Sequence, residues 1–258
     1  MSDFLIKIKA QVKERVQHIQ IDALPQKNTV DFCRIFQTGS APVIIAEVKF
    51  ASPSRGRIYA GTLSHTDIAE DYLENGAAAL SILTEPTYFH GQSHYLSEVR
   101  STLPQAPLLL KDFVLSKVQV DQALLLGANA ILFIVAFLDK QLLVELYHYA
   151  LSLGLTPLIE VHNQRELEVA LQLNPKMIGI NNRNLHTLQV DLNTAKELIQ
   201  LIPKGTYTIC ESGIQNKPQL QAMQKLGFHG FLIGASLMSD VNPGKALNNL
   251  LSGGNDAC

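Results

Sequence analysis

Val43-Ile-Ile-Ala-Glu-Val-Lys49 is an apolar run that ends on charge. Three later runs share its design: Leu108-Leu-Leu-Lys111, Pro157-Leu-Ile-Glu160 and Thr208-Ile-Cys-Glu211. Each reads as a β-strand covered on both faces, because such strands are near-continuously apolar rather than alternating. Burying a charged side chain costs several kcal/mol unless it is paired or solvated, so four strands do not end this way merely to build a core. In a parallel β/α barrel the C-terminal strand ends all open onto one face, where groups from distant parts of the chain converge.

Working outward from these runs, eight strand-like segments can be counted, at 43–48, 79–84, 107–111, 130–135, 156–161, 177–181, 207–211 and 230–234. Between them lie helix-like segments such as 66–75, 117–126, 139–153, 163–173, 193–201 and 217–226. The repeat of roughly 20 to 35 residues is that of a βα unit. Asn75-Gly76, Leu126-Gly127, Leu153-Gly154 and Leu226-Gly227 each place glycine where a helix exits through the left-handed region. The expected fold is α/β, an eight-stranded parallel β/α (TIM) barrel with an N-terminal helical extension. A doubly wound open sheet is the rival, but it usually carries a Gly-rich turn after its first strand, and here that strand ends in charge.

The expected organisation is one domain over 1–258: a helical extension at 1–42, the barrel at 43–248, and a tail at 249–258 that frays. In the extension, Phe4, Ile8, Val12, Val16 and Ile19 fall at helical spacing among lysines and other charges, which predicts an amphipathic helix over 4–19. A weaker helical stretch covers 31–36, and Ala41-Pro42 then punctuates the chain before the first strand.

With 258 residues, 47% hydrophobic and 17% charged, the chain can bury a large core and is neither disordered nor fibrous. A formal net charge of −2 without a basic tail or stripe argues against nucleic acid and acidic membranes as partners, and favours a small molecule. Cys33, Cys210 and Cys258 are odd in number and lack metal-ligand spacing, which fits a reducing cytoplasm. The N-terminus is too polar for a signal peptide, and no uninterrupted apolar segment is long enough to span a bilayer. His18, His148 and His229 stand singly, so neither a metal nor a cofactor is expected.

Period-two alternation puts Glu47 and Lys49 on one side of the first strand, the inside of a barrel, as a mutually stabilising pair. The following Ser52-Pro-Ser54 turn has two equal readings, anion contact or an ordinary surface turn. Glu211-Ser212-Gly213 and Gly234-Ala235-Ser236 follow the seventh and eighth strands, the common phosphate position in such barrels. Lys111, in an apolar setting next to other cations, is expected to have a depressed pKa, suited to a general acid or a Schiff-base nucleophile. Glu160 is expected to have a raised pKa and to exchange protons near neutrality. Asn181 offers a neutral hydrogen-bonding group, and Arg183 either a carboxylate fork or a structural salt bridge across the mouth. His90-Gly-Gln-Ser-His94, after Tyr88-Phe89, reads as a mobile loop over the mouth whose aromatics either cover an aromatic ligand or pack the loop down.

Five pieces, Ile45-Ala-Glu-Val-Lys-Phe-Ala-Ser-Pro-Ser-Arg-Gly56, Leu110-Lys-Asp-Phe113, Leu158-Ile-Glu-Val-His162, Ile178-Gly-Ile-Asn-Asn-Arg-Asn-Leu185 and Glu211-Ser-Gly213, occur in the order of one enzyme family. Through them the whole chain resembles indole-3-glycerol phosphate synthase, the β/α-barrel carboxy-lyase of tryptophan biosynthesis. The resemblance implies a phosphorylated small-molecule substrate, 1-(2-carboxyphenylamino)-1-deoxyribulose 5-phosphate, closed to indole-3-glycerol phosphate with loss of carbon dioxide and water. It implies that Lys111 is the general acid and Glu160 the base or cation-stabilising carboxylate. Lys49 would meet the substrate carboxylate and share acid duty, leaving open which lysine serves which step. Glu47 and Glu211 would hold the catalytic groups, and Asn181 and Arg183 would orient the intermediate. Ser52, Ser54, Ser212, Gly213, Gly234 and Ala235 would surround the phosphate or its neighbouring hydroxyl, while Phe89 and Phe113 would line the anthranilate pocket. Leu110 and Ala235 depart from the family's usual polar residues. The expected state is a monomer or weak homodimer. A rival barrel, phosphoribosylanthranilate isomerase, is expected to use a Cys/Asp pair, which Cys210 inside a strand fits poorly.

Overall fold

A computed structural model describes residues 3–23, 31–37 and 42–253. Eight parallel strands close into a barrel: β1 (Val43–Val48), β2 (Ala79–Leu83), β3 (Leu108–Lys111), β4 (Ala130–Ile134), β5 (Thr156–Val161), β6 (Met177–Asn181), β7 (Tyr207–Glu211) and β8 (Gly230–Ile233). Each strand pairs with its sequence neighbours, and β8 closes on β1 through Val43 opposite Gly230. At the C-terminal ends the register sets Leu83 opposite Lys111, Ile134 opposite Glu160 and Asn181 opposite Glu211. The charged strand ends thereby reach one rim.

The alternation of each strand builds two apolar layers. Inward residues such as Ile45, Leu109, Leu132, Leu158, Ile209 and Leu232 fill the barrel. Outward residues such as Ile44, Leu80, Ile131, Ile159 and Cys210 pack under the helices. Those helices are α2 (His65–Glu74), α3 (Ser93–Thr102), α4 (Lys117–Leu125), α5 (Lys140–Ser152), α6 (Gln164–Leu171), α7 (Asn193–Leu198), α8 (Lys217–Lys225), the short α9 (Ala235–Met238) and α10 (Pro243–Ser252). Side-chain N-caps fix several starts, including Asn163, which accepts from Glu166 N ahead of α6. The four helix-exit glycines do adopt positive φ.

The N-terminal helix, α1 (Asp3–Val16), is shorter than the expected 4–19, because Gln17, His18 and Ile19 bond to carbonyls three residues back and tighten the end into a turn. Leu5, Ile8 and Val12 are buried, in one cluster with Phe113 and Phe137. Lys9 Nζ donates to Phe137 O at 3.2 Å and Arg15 pairs with Asp112 at 2.6 Å, so α1 lies against the loops after β3 and β4. The stretch at 31–36 is a 3-10 helix, Phe32–Gln37, whose Phe36 stacks on Tyr207 at the opposite, N-terminal end of the strands.

Two expectations change. The segment read as a mobile loop at 90–94 is half helix: Ser93 and His94 open α3, and His94 packs edge-on against Tyr95. The tail expected to fray from 249 is helical to Ser252, where Gly253 caps α10 in the left-handed region, and 254–258 lie outside the described residues. No helix among the described residues is long and apolar enough to cross a membrane.

Candidate active site

The strand ends converge on a cavity of about 440 Å³ at the C-terminal mouth. Its wall contains Glu47, Lys49, Phe89, Lys111, Phe113, Glu160, Asn181, Arg183, Glu211, Ser212, Gly213, Gly234 and Ala235, so thirteen of the fifteen expected site residues meet there. Ser52 and Ser54 are not in the wall. They sit in an antiparallel ribbon, Ala51–Ser52 against Gly56–Arg57, and face each other with oxygens 3.4 Å apart. Ser54 is tied to the rim through Arg183 Nη1, which donates to its hydroxyl at 3.4 Å.

Charge is densest at the floor. Lys111 Nζ donates to Glu160 Oε2 at 3.2 Å and stands 3.7 Å from Glu211 Oε2. Beside it, Lys49 Nζ pairs with Glu47 Oε1 at 2.5 Å, the inward pair that strand alternation predicts. Ser81 Oγ also donates to Glu47, at 3.4 Å.

This arrangement reverses two expected pKa shifts. Burial alone would lower the Lys111 pKa, but Glu160, Glu211 and Glu47 outweigh it and hold the ammonium well above its ordinary value. The sequence expectation assumed neighbouring cations; the neighbours are carboxylates. Burial likewise pushes Glu160 up, yet Lys111 and His162 prevail and keep it ionised, below the usual carboxylate range. The raised carboxyl is Glu211, where burial and the Glu160 charge act together. Around one ammonium the two carboxyls are thus driven in opposite directions, Glu160 down and Glu211 up. Glu211 Oε1 is buried without a hydrogen-bond partner among the described residues.

The rim is built by loops with unusual backbone. Ser212 and Gly213 are both left-handed, at φ 61° and 95°. A side chain on Gly213 would press to 2.9 Å of Val190 and Leu192, and one on Gly234 would come within 2.6 Å of Glu47 Oε1, so both positions let the chain come close to its neighbours. Arg183 donates through Nη1 to Leu188 O at 2.8 Å, while Asn181 Oδ1 accepts from Arg183 N at 3.0 Å. Of the two readings of Arg183, the salt bridge across the mouth is not present among the described residues; its guanidinium lines the cavity and braces the loop after β6.

Several residues in or near the site carried no role in the sequence reading. Arg55 lines the cavity. Glu85 also lines it, and accepts from the backbone of Thr87, Tyr88 and Phe89 at 2.9, 2.7 and 3.1 Å, which fixes the loop that presents Phe89. Asn182 is buried and donates to Glu211 O and Ser212 O, anchoring the β7 end. His162, two residues beyond Glu160, stands outside the cavity wall with Nε2 3.2 Å from Glu160 Oε1; the two-residue period was the available signal. Cys210 faces the helix layer, and burial pushes its thiol up to about 12, so it has no place in acid–base chemistry at the mouth.

A parallel barrel whose mouth gathers a carboxylate-bound lysine, a buried carboxyl pushed upward, two phenylalanines and close-approach glycine loops defines an acid–base enzyme of the β/α-barrel class. A family model described as indole-3-glycerol phosphate synthase matches residues 2–250. An indole-3-glycerol phosphate synthase of Legionella pneumophila (strain Paris) is 41% identical over 222 residues, 86% of this chain and 85% of the relative. Another, from Polynucleobacter asymbioticus, is 40% identical and covers 98% of this chain and 100% of its own. The chain belongs to the indole-3-glycerol phosphate synthase family, carboxy-lyases of tryptophan biosynthesis that act on a phosphorylated small molecule. Among solved structures, 3-hexulose-6-phosphate synthase from Salmonella typhimurium aligns at a TM-score of 0.64 with 8% identity, over 83% of this chain and 100% of that one, a likeness of fold alone.

Proposed function

We propose that the cavity binds 1-(2-carboxyphenylamino)-1-deoxyribulose 5-phosphate and closes its ring to indole-3-glycerol phosphate, with Lys111 as the general acid. The observation that carries this is the Lys111 ammonium held between Glu160 and Glu211 in a cavity that Phe89 and Phe113 also line. As the ring carbon bearing the carboxylate attacks the ketone carbon, the ketone oxygen gains the basicity of an alkoxide. A tightly held lysine proton is released only to such a base, so transfer follows bond formation. Loss of carbon dioxide then restores the aromatic ring. Departure of the new hydroxyl as water, with removal of a ring-side proton, completes the indole. Glu160, held low by Lys111 and His162, is the base for that second half, and Glu211, pushed upward by burial and by Glu160, is the group placed to donate to the departing hydroxyl. Since the substrate's carboxylate leaves as neutral carbon dioxide, one proton enters per turnover.

Lys49 meets the substrate carboxylate, Glu47 holds Lys49, and Asn181 and Arg183 orient the intermediate. Ser212, Gly213, Gly234 and Ala235 receive the phosphate, Ala235 through its backbone only, with Ser54 and Ser52 behind Arg183 at the rim. Phe89 and Phe113, with ring centroids 6.3 Å apart, flank the anthranilate ring. The enzyme works in the cytoplasm as one domain, a monomer or weak homodimer with no nucleic-acid or membrane partner, a reading that the net charge of −2 supports. Lys111→Ala tests the central role: kcat should fall by roughly a thousandfold or more while substrate still binds and the far-ultraviolet spectrum is unchanged. Near-normal kcat in that variant removes Lys111 from the chemistry.

A further inference from the structure

Behind Glu160 stands a second, unassigned charge pair. His162 Nδ1 lies 2.9 Å from Glu166 Oε2, and the same oxygen accepts from the His162 backbone at 2.8 Å. Glu166 is held in turn by Asn163, whose Nδ2 donates to Oε1 at 2.6 Å. The other ring nitrogen, Nε2, is 3.2 Å from Glu160 Oε1, an ion-pair distance without hydrogen-bond alignment. Lys111 occupies the opposite oxygen of the same carboxylate. With a carboxylate at each nitrogen and an 8% exposed side chain, the ring carries both protons.

We infer that the Glu166–His162 pair is a positioning element that keeps Glu160 ionised and turned to Lys111. The off-axis Nε2 contact favours this electrostatic role over proton relay, which needs an aligned hydrogen bond. Among the described residues the charges facing His162 are Glu160 on β5 and Glu166 in the first turn of α6. Those facing Glu160 are Lys111 on β3, His162 and Glu211 on β7. With His162 removed, Glu160 keeps one cation instead of two, its affinity for a proton rises, and the base is lost at a higher pH.

This rests on the proposed role of Glu160, so the test compares Glu160→Gln, His162→Gln and Glu166→Gln, the last at a side chain 16% exposed, in the full chain. Expected for His162→Gln are a kcat lower by about tenfold to a hundredfold, KM within about threefold, and an acid limb of kcat displaced upward by about one pH unit. Glu166→Gln should move the limb the same way by less. In the unaltered enzyme at pH 8, nitrogen NMR should find His162 doubly protonated, and Glu166→Gln should reduce that state. A neutral ring at pH 8, or an acid limb unmoved in a folded His162→Gln while Glu160→Gln is crippled, overturns this inference alone. Full activity in Glu160→Gln overturns the base assignment itself.

Discussion

At the scale of single residues, the floor of the mouth is a problem of buried charge. Glu211 fits only because β6 offers Gly179 beneath it, where a Cβ would collide with Glu211 Oε1. Gly179→Ala should therefore displace Glu211 and lower kcat by about a hundredfold, checked by steady-state kinetics beside an unchanged circular dichroism spectrum. His162 makes a prediction about stability. Burial would lower its pKa, but Glu160 and Glu166 raise it from 6.5 to about 9. A raised folded-state pKa contributes stability that is fully present below about pH 6.5 and is lost as pH climbs through about 9. The contribution is roughly 3 kcal/mol at its fullest. Urea unfolding of the unaltered protein against His162→Gln should show a gap at pH 6 that shrinks toward pH 9; a gap that widens with pH contradicts the assignment.

At the scale of elements, strand ends were easy to read and loops were not. A strand such as 43–48 announces itself because an apolar run, two-residue alternation and a charged end agree, and Glu47 with Lys49 forms the pair that alternation requires. The same logic failed for pKa, because the sign at Lys111 depends on Glu160 and Glu211, residues 49 and more positions away that only barrel closure brings within 4 Å. It left two readings open at Ser52 and Ser54, where a turn with suitable hydroxyls folds into a ribbon outside the cavity wall. Glu85 was invisible for a related reason: its importance lies in three backbone N–H groups of the loop it precedes. Glu85→Ala leaves those donors unmatched and frees Phe89, so KM should rise by about tenfold with a smaller change in kcat. Unchanged KM would mean that the loop holds its shape without the carboxylate.

At the scale of the whole molecule, closure of eight strands is what turns residues scattered from 47 to 235 into one cavity, and the order of βα units made that closure legible in advance. The seat of α1 was not legible, since an amphipathic stripe states that a helix is covered but not by what; here the stripe and Arg15 meet the loops behind Lys111. The most direct test of the account uses the absence of tryptophan from the chain, which leaves protein fluorescence dim. Purified protein is mixed with 1-(2-carboxyphenylamino)-1-deoxyribulose 5-phosphate, without added metal, while indole fluorescence and carbon dioxide release are followed together. The account predicts that both appear in equal amounts, one of each per substrate consumed. A folded protein that binds the substrate and yields neither product would contradict it.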